Sequence, residues 1–167
     1  MFVYYFCHVA GPFEKARAIF EDHPQRWLPA YLEKAFDRGD ALRVTVGIGD
    51  GFRLSKDLLV SIGEIRKDEG KVSLPLDVKA SGEARLFPHL WADLELARLG
   101  EGLAQLTLRG SYKPPLGWVG QMLDRALLHR IAEAAVKDFV EQIAGRLSDQ
   151  TDLRGNAMGG LQDSGNV

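Results

Sequence analysis

The chain has 167 residues, 46% hydrophobic and 26% charged, with a formal net charge of −2. That length holds one domain with a real core, and a near-neutral balance without a basic cluster argues against nucleic acid as the main partner. One cysteine, Cys7, excludes an intrachain disulfide and fits a reducing, cytoplasmic setting, and no run approaches the ~20 apolar residues of a membrane span.

Aromatic and β-branched residues mark Phe2–Ala10 as a first strand, and the uncharged opening run lacks the basic flank of a signal peptide. Cys7 reads as a buried, inert thiol within it. Gly11-Pro12 ends the strand and launches a helix over Phe13–Glu21, with Phe13, Ala16, Ile19 and Phe20 on one face. His23-Pro24 breaks that helix. A second short helix follows near Gln25–Lys34 and carries Trp27, Leu28, Tyr31 and Leu32.

The period then changes from 3.6 to 2. Leu42, Val44, Val46 and Ile48 alternate with polar residues or glycine and read as a strand. Gly47, Gly49 and Gly51 resemble a phosphate loop only superficially, because a strand rather than a helix follows. That strand spans Leu54–Ile65, with Leu54, Leu58, Val60 and Ile62 on one face and Lys56 and Glu64 in phase with them. Lys67–Gly70 reads as a turn. Val72, Leu74, Leu76, Val78 and Ala80 line the next strand, and Leu90, Ala92, Leu94 and Leu96 the one after. Leu99–Gly102 turns the chain into a last strand with Ala104, Leu106, Leu108, Gly110 and Tyr112 in phase.

Pro114-Pro115 then starts a helix that nothing breaks before Gly145. Leu128, Ala132, Ala135, Val136, Phe139, Ile143 and Leu147 form a helical stripe, flanked by Val119, Leu123, Leu127 and Ile131. At 1.5 Å per residue the helix is roughly 45 Å long and needs a broad apolar surface beneath it. Residues 1–148 make the domain. Residues 149–167, rich in Gly, Asn, Asp and Ser, read as a disordered tail. The fold class is α+β: a curved antiparallel sheet of six or seven strands wrapped around the long C-terminal helix, with two short helices after strand one.

This order of elements, and the segments LFPHLWADLEL, LTLRGSYKPPLG and LDRALLHRIAEAAVKDFVEQIA, resemble the START-like (SRPBCC) helix-grip superfamily, notably its polyketide cyclase/dehydrase-like and coenzyme Q-binding members. The resemblance spans most of residues 1–148. It implies a hydrophobic cavity between sheet and helix holding a lipid, isoprenoid, sterol or polyketide-like molecule. It transfers no catalytic residue and calls for no cofactor.

The candidate ligand-binding residues are therefore Trp27, Tyr31, Leu58, Val60, Leu76, Leu94, Leu108, Tyr112, Met122, Arg125, His129, Ala132 and Val136. Arg125 and His129 lie one turn apart at the edge of the apolar stripe. They either face the chamber and orient a ligand's polar end, or form surface pairs, the commoner fate of charged helix positions. Small residues, Ala132 and Ala135 on the helix and Gly110 on the last strand, leave room for a cavity. The four histidines are scattered without metal-ligand spacing, and no GxSxG elbow occurs.

Three functions fit. The first is a binder or carrier of an apolar small molecule. The second is a cyclase, aromatase or dehydratase using His129 or Arg125. The third is an interaction module whose Trp118 and helix mouth dock a transient protein partner. The first needs only a cavity, whereas the second needs polar groups that the sequence scarcely supplies.

Overall fold

Alternation of apolar and polar residues builds the sheet, and 3.6-residue periodicity builds the helices that cover it. The computed structural model describes residues 1–45, 58–80, 89–113 and 125–159. Along the chain these form β1 (Phe2–Ala10), α1 (Phe13–Glu21), α2 (Pro24–Thr45), β2 (Leu58–Ile62) and β3 (Arg66–Asp68), followed by β4 (Lys71–Ala80), β5 (His89–Gly100), β6 (Leu103–Lys113) and α3 (Arg125–Gly159).

The protein is α+β, with a curved, open, antiparallel sheet of six strands among the described residues and α3 packed on one face. The strand order is β1-β6-β5-β4-β2, and β3 also pairs with β4. Strands β4, β5 and β6 form a meander, and β1 closes on β6 from Phe2↔Ser111 to Ala10↔Leu103. The inner positions of the meander are apolar throughout. Val72, Leu74, Leu94, Leu96, Leu106 and Leu108 are fully buried beneath the helices.

The single strand expected over Leu54–Ile65 is instead an edge in two pieces, β2 and β3, both laid along β4. Pro75 explains the break. Its carbonyl accepts from the Gly63 N–H at 2.9 Å. In an antiparallel strand a residue's N and O point to the same neighbour, so the donor that proline lacks also faces this edge. The edge strand bulges there by one residue, pairing Ile62 with Leu76 but Arg66 with Ser73. The bulge reverses the phase: Ile65 packs against the core, while Glu64, in phase with Ile62 by simple alternation, is exposed.

Helix α1 buries Phe13, Ala16, Ile19 and Phe20, as its periodicity predicts. Glu21 at its end takes Arg17 at 2.7 Å and Lys67 of β3 at 2.6 Å, tying the helix to the sheet edge. Arg98 of β5 pairs with Glu14 and covers the Phe13 ring.

Helix α2 corrects the sequence reading. It is 22 residues long rather than short, passes through Pro29 and continues to Thr45. The strand expected from Leu42 is therefore helical as far as Thr45, and Val46 onward lies outside the described residues. Four alternating apolar positions are too few to separate strand from helix, and the good helix formers Leu32–Ala35 and Ala41–Arg43 extend the preceding helix.

Helix α3 packs against β1, β6, α1 and α2. Val136, Phe139, Val140, Ile143, Ala144, Leu147 and Thr151 form its buried stripe. Each large apolar side chain in that stripe contributes ~1.5–3 kcal/mol relative to an exposed one. The expected helix start at Pro114-Pro115 lies outside the described residues, and so do residues 160–167. The helix also passes the expected boundary at 148 and runs to Gly159. Thr151 is the reason: it continues the buried stripe by one turn, and its hydroxyl donates back to the Leu147 carbonyl at 2.6 Å.

Candidate functional site

The inner face of the sheet is a set of cross-strand rows fixed by register. One row joins Leu74, Leu94 and Leu108, all fully buried. The next joins Ile62, Leu76, Ala92 and Gly110 and ends on Val3 of β1. A third joins Val60, Val78, Leu90 and Tyr112. These rows bring Leu76, Leu94, Leu108, Val60 and Tyr112 of the candidate set onto one continuous apolar surface. Leu58 precedes Val60 on the same edge strand.

The rows differ in what overlies them. Helix α3 packs on β1 and β6, and α2 packs on α3 and β2. The inner surface of β4 and β5 around Leu76, Val78, Leu90 and Ala92 lies between these two lines of contact, and all four residues are buried. From α3, Ala132 is half-buried and Val136 buried on the side facing the core.

Trp27 and Tyr31 sit on α2 in an aromatic cluster. The Trp27 ring meets Phe20 at 6.3 Å and Tyr31 at 6.0 Å, both edge-on, and its indole N–H donates to the Asp22 carbonyl at 3.2 Å. Arg146 of α3 places its guanidinium 5.3 Å from the same ring. Trp27 thus joins three helices, and Tyr31 extends the cluster outward, with Lys34 5.7 Å from its ring.

His129 has a 41% exposed side chain, and its Nε2 lies 3.1 Å from the Glu133 carboxylate one turn on. Arg125 is the first residue of α3, and Met122 lies outside the described residues, as do Lys56 and Trp118. Gly110 plays a different part from the one its size suggests. A Cβ there would fall 2.4 Å from the Trp91 carbonyl oxygen and 2.7 Å from the Ala92 Cβ. Close approach of β5, rather than cavity space, requires glycine at this position.

Cys7 and Tyr5 lie on the inner face of β1 against α3. The Tyr5 hydroxyl donates to Glu141 at 2.7 Å, and that bond together with burial pushes the phenol up to about 12. Burial, helped by the Glu141 charge, raises the Cys7 thiol to about 11, which disfavours the thiolate at neutral pH. Among the described residues no group of three or more His, Cys, Asp or Glu is placed to hold a metal ion. No described helix is long and apolar enough to cross a membrane.

No family model and no curated protein matches the chain significantly. Solved structures do. A conserved protein from Geobacillus kaustophilus aligns over 86% of this chain and 93% of its own, with 13% identity and a TM-score of 0.51. A Helicobacter pylori hypothetical protein aligns over 85% and 87%, with 12% identity and a TM-score of 0.46. The ZhuI aromatase/cyclase from Streptomyces sp. R1128 aligns over 88% and 93%, with 11% identity and a TM-score of 0.39. At these identities the likeness concerns the fold, which is helix-grip-like, and neither ligand nor reaction.

Proposed function

We propose that the domain binds and carries an apolar small molecule, such as a lipid, isoprenoid or polyketide-like compound, between the inner face of the sheet and the helices, as START-like proteins do. The observation that supports this is the chemistry of the inner rows. From Val60 and Ile62 across Leu76, Val78, Leu90 and Ala92 to Tyr112, the positions are hydrocarbon apart from one phenol. An arc of that composition between two helical contact lines suits a ligand held by desolvation, with Tyr112 as a polar marker at one end. Carriage needs no acid or base. A cyclase or dehydratase would need one aimed inward, and the half-exposed His129 is engaged with Glu133.

Native mass spectrometry and organic extraction of purified protein test the proposal, and a co-purifying apolar molecule is the expected result. Uptake of cis-parinaric acid, followed by its fluorescence, should fall at least tenfold in Ala132→Trp, which fills the space from the α3 side. Repeated preparations with nothing bound, together with no uptake of the probe, would remove the carrier function.

A further inference from the structure

The opposite face of the sheet carries a second feature, independent of the inner face. A trough of 540 Å³ crosses the outer surface, lined by residues from β1, β6, β5, β4 and β2. Register places it between two outer rows, one through Phe2, Ser111, Trp91 and Asp77 and the other through Arg109, Asp93 and Pro75. It therefore runs across the strands and spans about 19 Å from β1 to β2 at the usual strand spacing. Gly63, Pro75 and Gly110 contribute little or no side chain to it, which keeps its floor low.

Its walls are exposed aromatic rings. Phe2 is 63% exposed and Trp91 37%, unusual for large apolar side chains on a solvent-facing sheet surface. The two lie two strands apart, about 10 Å. Trp91 is also held in position. The His89 ring lies against it, tilted by 35°, and the Lys113 ammonium lies 5.0 Å from its centroid. Both belong to the row on the side away from Asp93 and Arg109, and neither lines the trough. His89 is itself fixed by Asp77 at 2.5 Å. An indole backed on one side and fixed from behind is a preorganised stacking platform on the other.

The charges of the trough identify what it suits. Arg66 pairs with Asp93, Arg109 lies 3.6 Å from Glu95, and Asp77 holds His89 and Lys79. Each ionised side chain lining the trough thus has its counter-ion on the same face, so an ionic ligand gains little there. A carboxylate beside guanidinium groups, next to an aromatic plane, matches a neutral ring bearing adjacent hydroxyls. One hydroxyl donates to the carboxylate, its neighbour accepts from a guanidinium, and the C–H face of the ring lies on the indole.

We propose that this outer trough is a binding site for a neutral oligosaccharide, with Trp91 and Phe2 as stacking platforms and Asp93 and Arg109 as the hydroxyl clamp. Isothermal titration of the full chain with cellohexaose, maltohexaose and chitohexaose tests it. At least one should bind with a dissociation constant of millimolar or tighter, and Trp91→Ala and Arg109→Ala should each weaken that binding at least tenfold. The exposed Leu99, outside the trough, supplies the control: Leu99→Ala should leave binding unchanged. Circular dichroism verifies folding, and Arg109→Ala keeps the test intact if removal of Trp91 disturbs the sheet. Absence of binding by all three sugars at 10 mM overturns the proposal. So does sugar binding indifferent to both substitutions, or decaproline binding that both substitutions abolish while no sugar binds. Uptake of cis-parinaric acid should persist in both variants, which separates this site from the inner one.

Discussion

At the turn out of β1, Gly11 takes a φ of +110°, and a Cβ added to it would fall 2.3 Å from the Thr151 Cγ2. Two effects then oppose any other residue: the left-handed backbone and overlap with a buried side chain. The first costs about 1–2 kcal/mol and the second about 1–3 kcal/mol. Gly11→Ala should therefore lower stability by about 3 kcal/mol, seen as a shift of the urea midpoint with unchanged slope. Adding Thr151→Ala should restore the overlap part and leave the backbone part. A single variant as stable as the parent would mean that the β1 turn does not rest on the end of α3. Single residues were legible in the sequence wherever a complete period surrounded them, as with Phe13, Ile19, Phe20, Phe139 and Ile143. Glu64 and Gly110 were not, because a bulge sets the direction of one and the approach of a neighbouring strand sets the role of the other.

For elements, the same distinction separates the meander from the sheet edge. Strands β4 and β6 alternate along their whole length and β5 as far as its irregularity at Arg98–Gly100, so alternation alone marks their inner faces. The edge is not marked in this way, because its break depends on Pro75 in the neighbouring strand rather than on its own residues. Gly63 is the point of adjustment: a Cβ there would lie 3.1–3.5 Å from three atoms of the Pro75 ring. A β-branched residue needs more space than that and should lift the edge from β4. Gly63→Val is expected to speed hydrogen exchange of the Leu59–Ile62 amides at least tenfold, with β5 and β6 amides unchanged. Equal protection in the variant would show that the bulge tolerates side chains and that Pro75 does not hold it. The length of α2 and the continuation of α3 past Ser148 were hidden for a related reason. A weak local pattern is overruled by packing, and Thr151 gains its burial from Gly11 at the far end of the chain.

For the whole molecule, the sheet separates two surfaces of opposite chemistry, and alternation made the inner one legible as the face to be covered. It said nothing of the outer one, since polar alternating positions read only as solvated until register aligns Phe2, Trp91, Asp93 and Arg109 across the strands. Charges at the junctions between layers set how the assembly responds to pH. Burial pushes Glu21 and Asp77 upward, but hydrogen bonds from Lys67 and Arg17 to the first, and from His89 and Lys79 to the second, outweigh it and leave both lowered. A carboxylate lowered by folding stabilises above its ordinary value, and that contribution is lost as pH falls through the folded value. Cys7 and Tyr5 act in the opposite sense. Their ordinary values of 9.0 and 10.0 rise to about 11 and about 12 in the fold. Their contribution is complete below pH 9 and is lost as pH climbs from there towards 12. The urea midpoint should thus fall in acid, as Glu21 and Asp77 protonate, and fall again above about pH 9. Glu141→Gln weakens the hydrogen bond that raises Tyr5 most and removes the charge that adds to the rise of both Tyr5 and Cys7, and should make the alkaline fall shallower while leaving the acid limb alone. Glu21→Gln should do the reverse. An alkaline limb identical in Glu141→Gln and the parent would mean that the Tyr5–Glu141 bond does not join β1 to α3 in solution, leaving apolar packing and the Ala10 N–H bond to the Ser148 hydroxyl to hold the helix to the sheet.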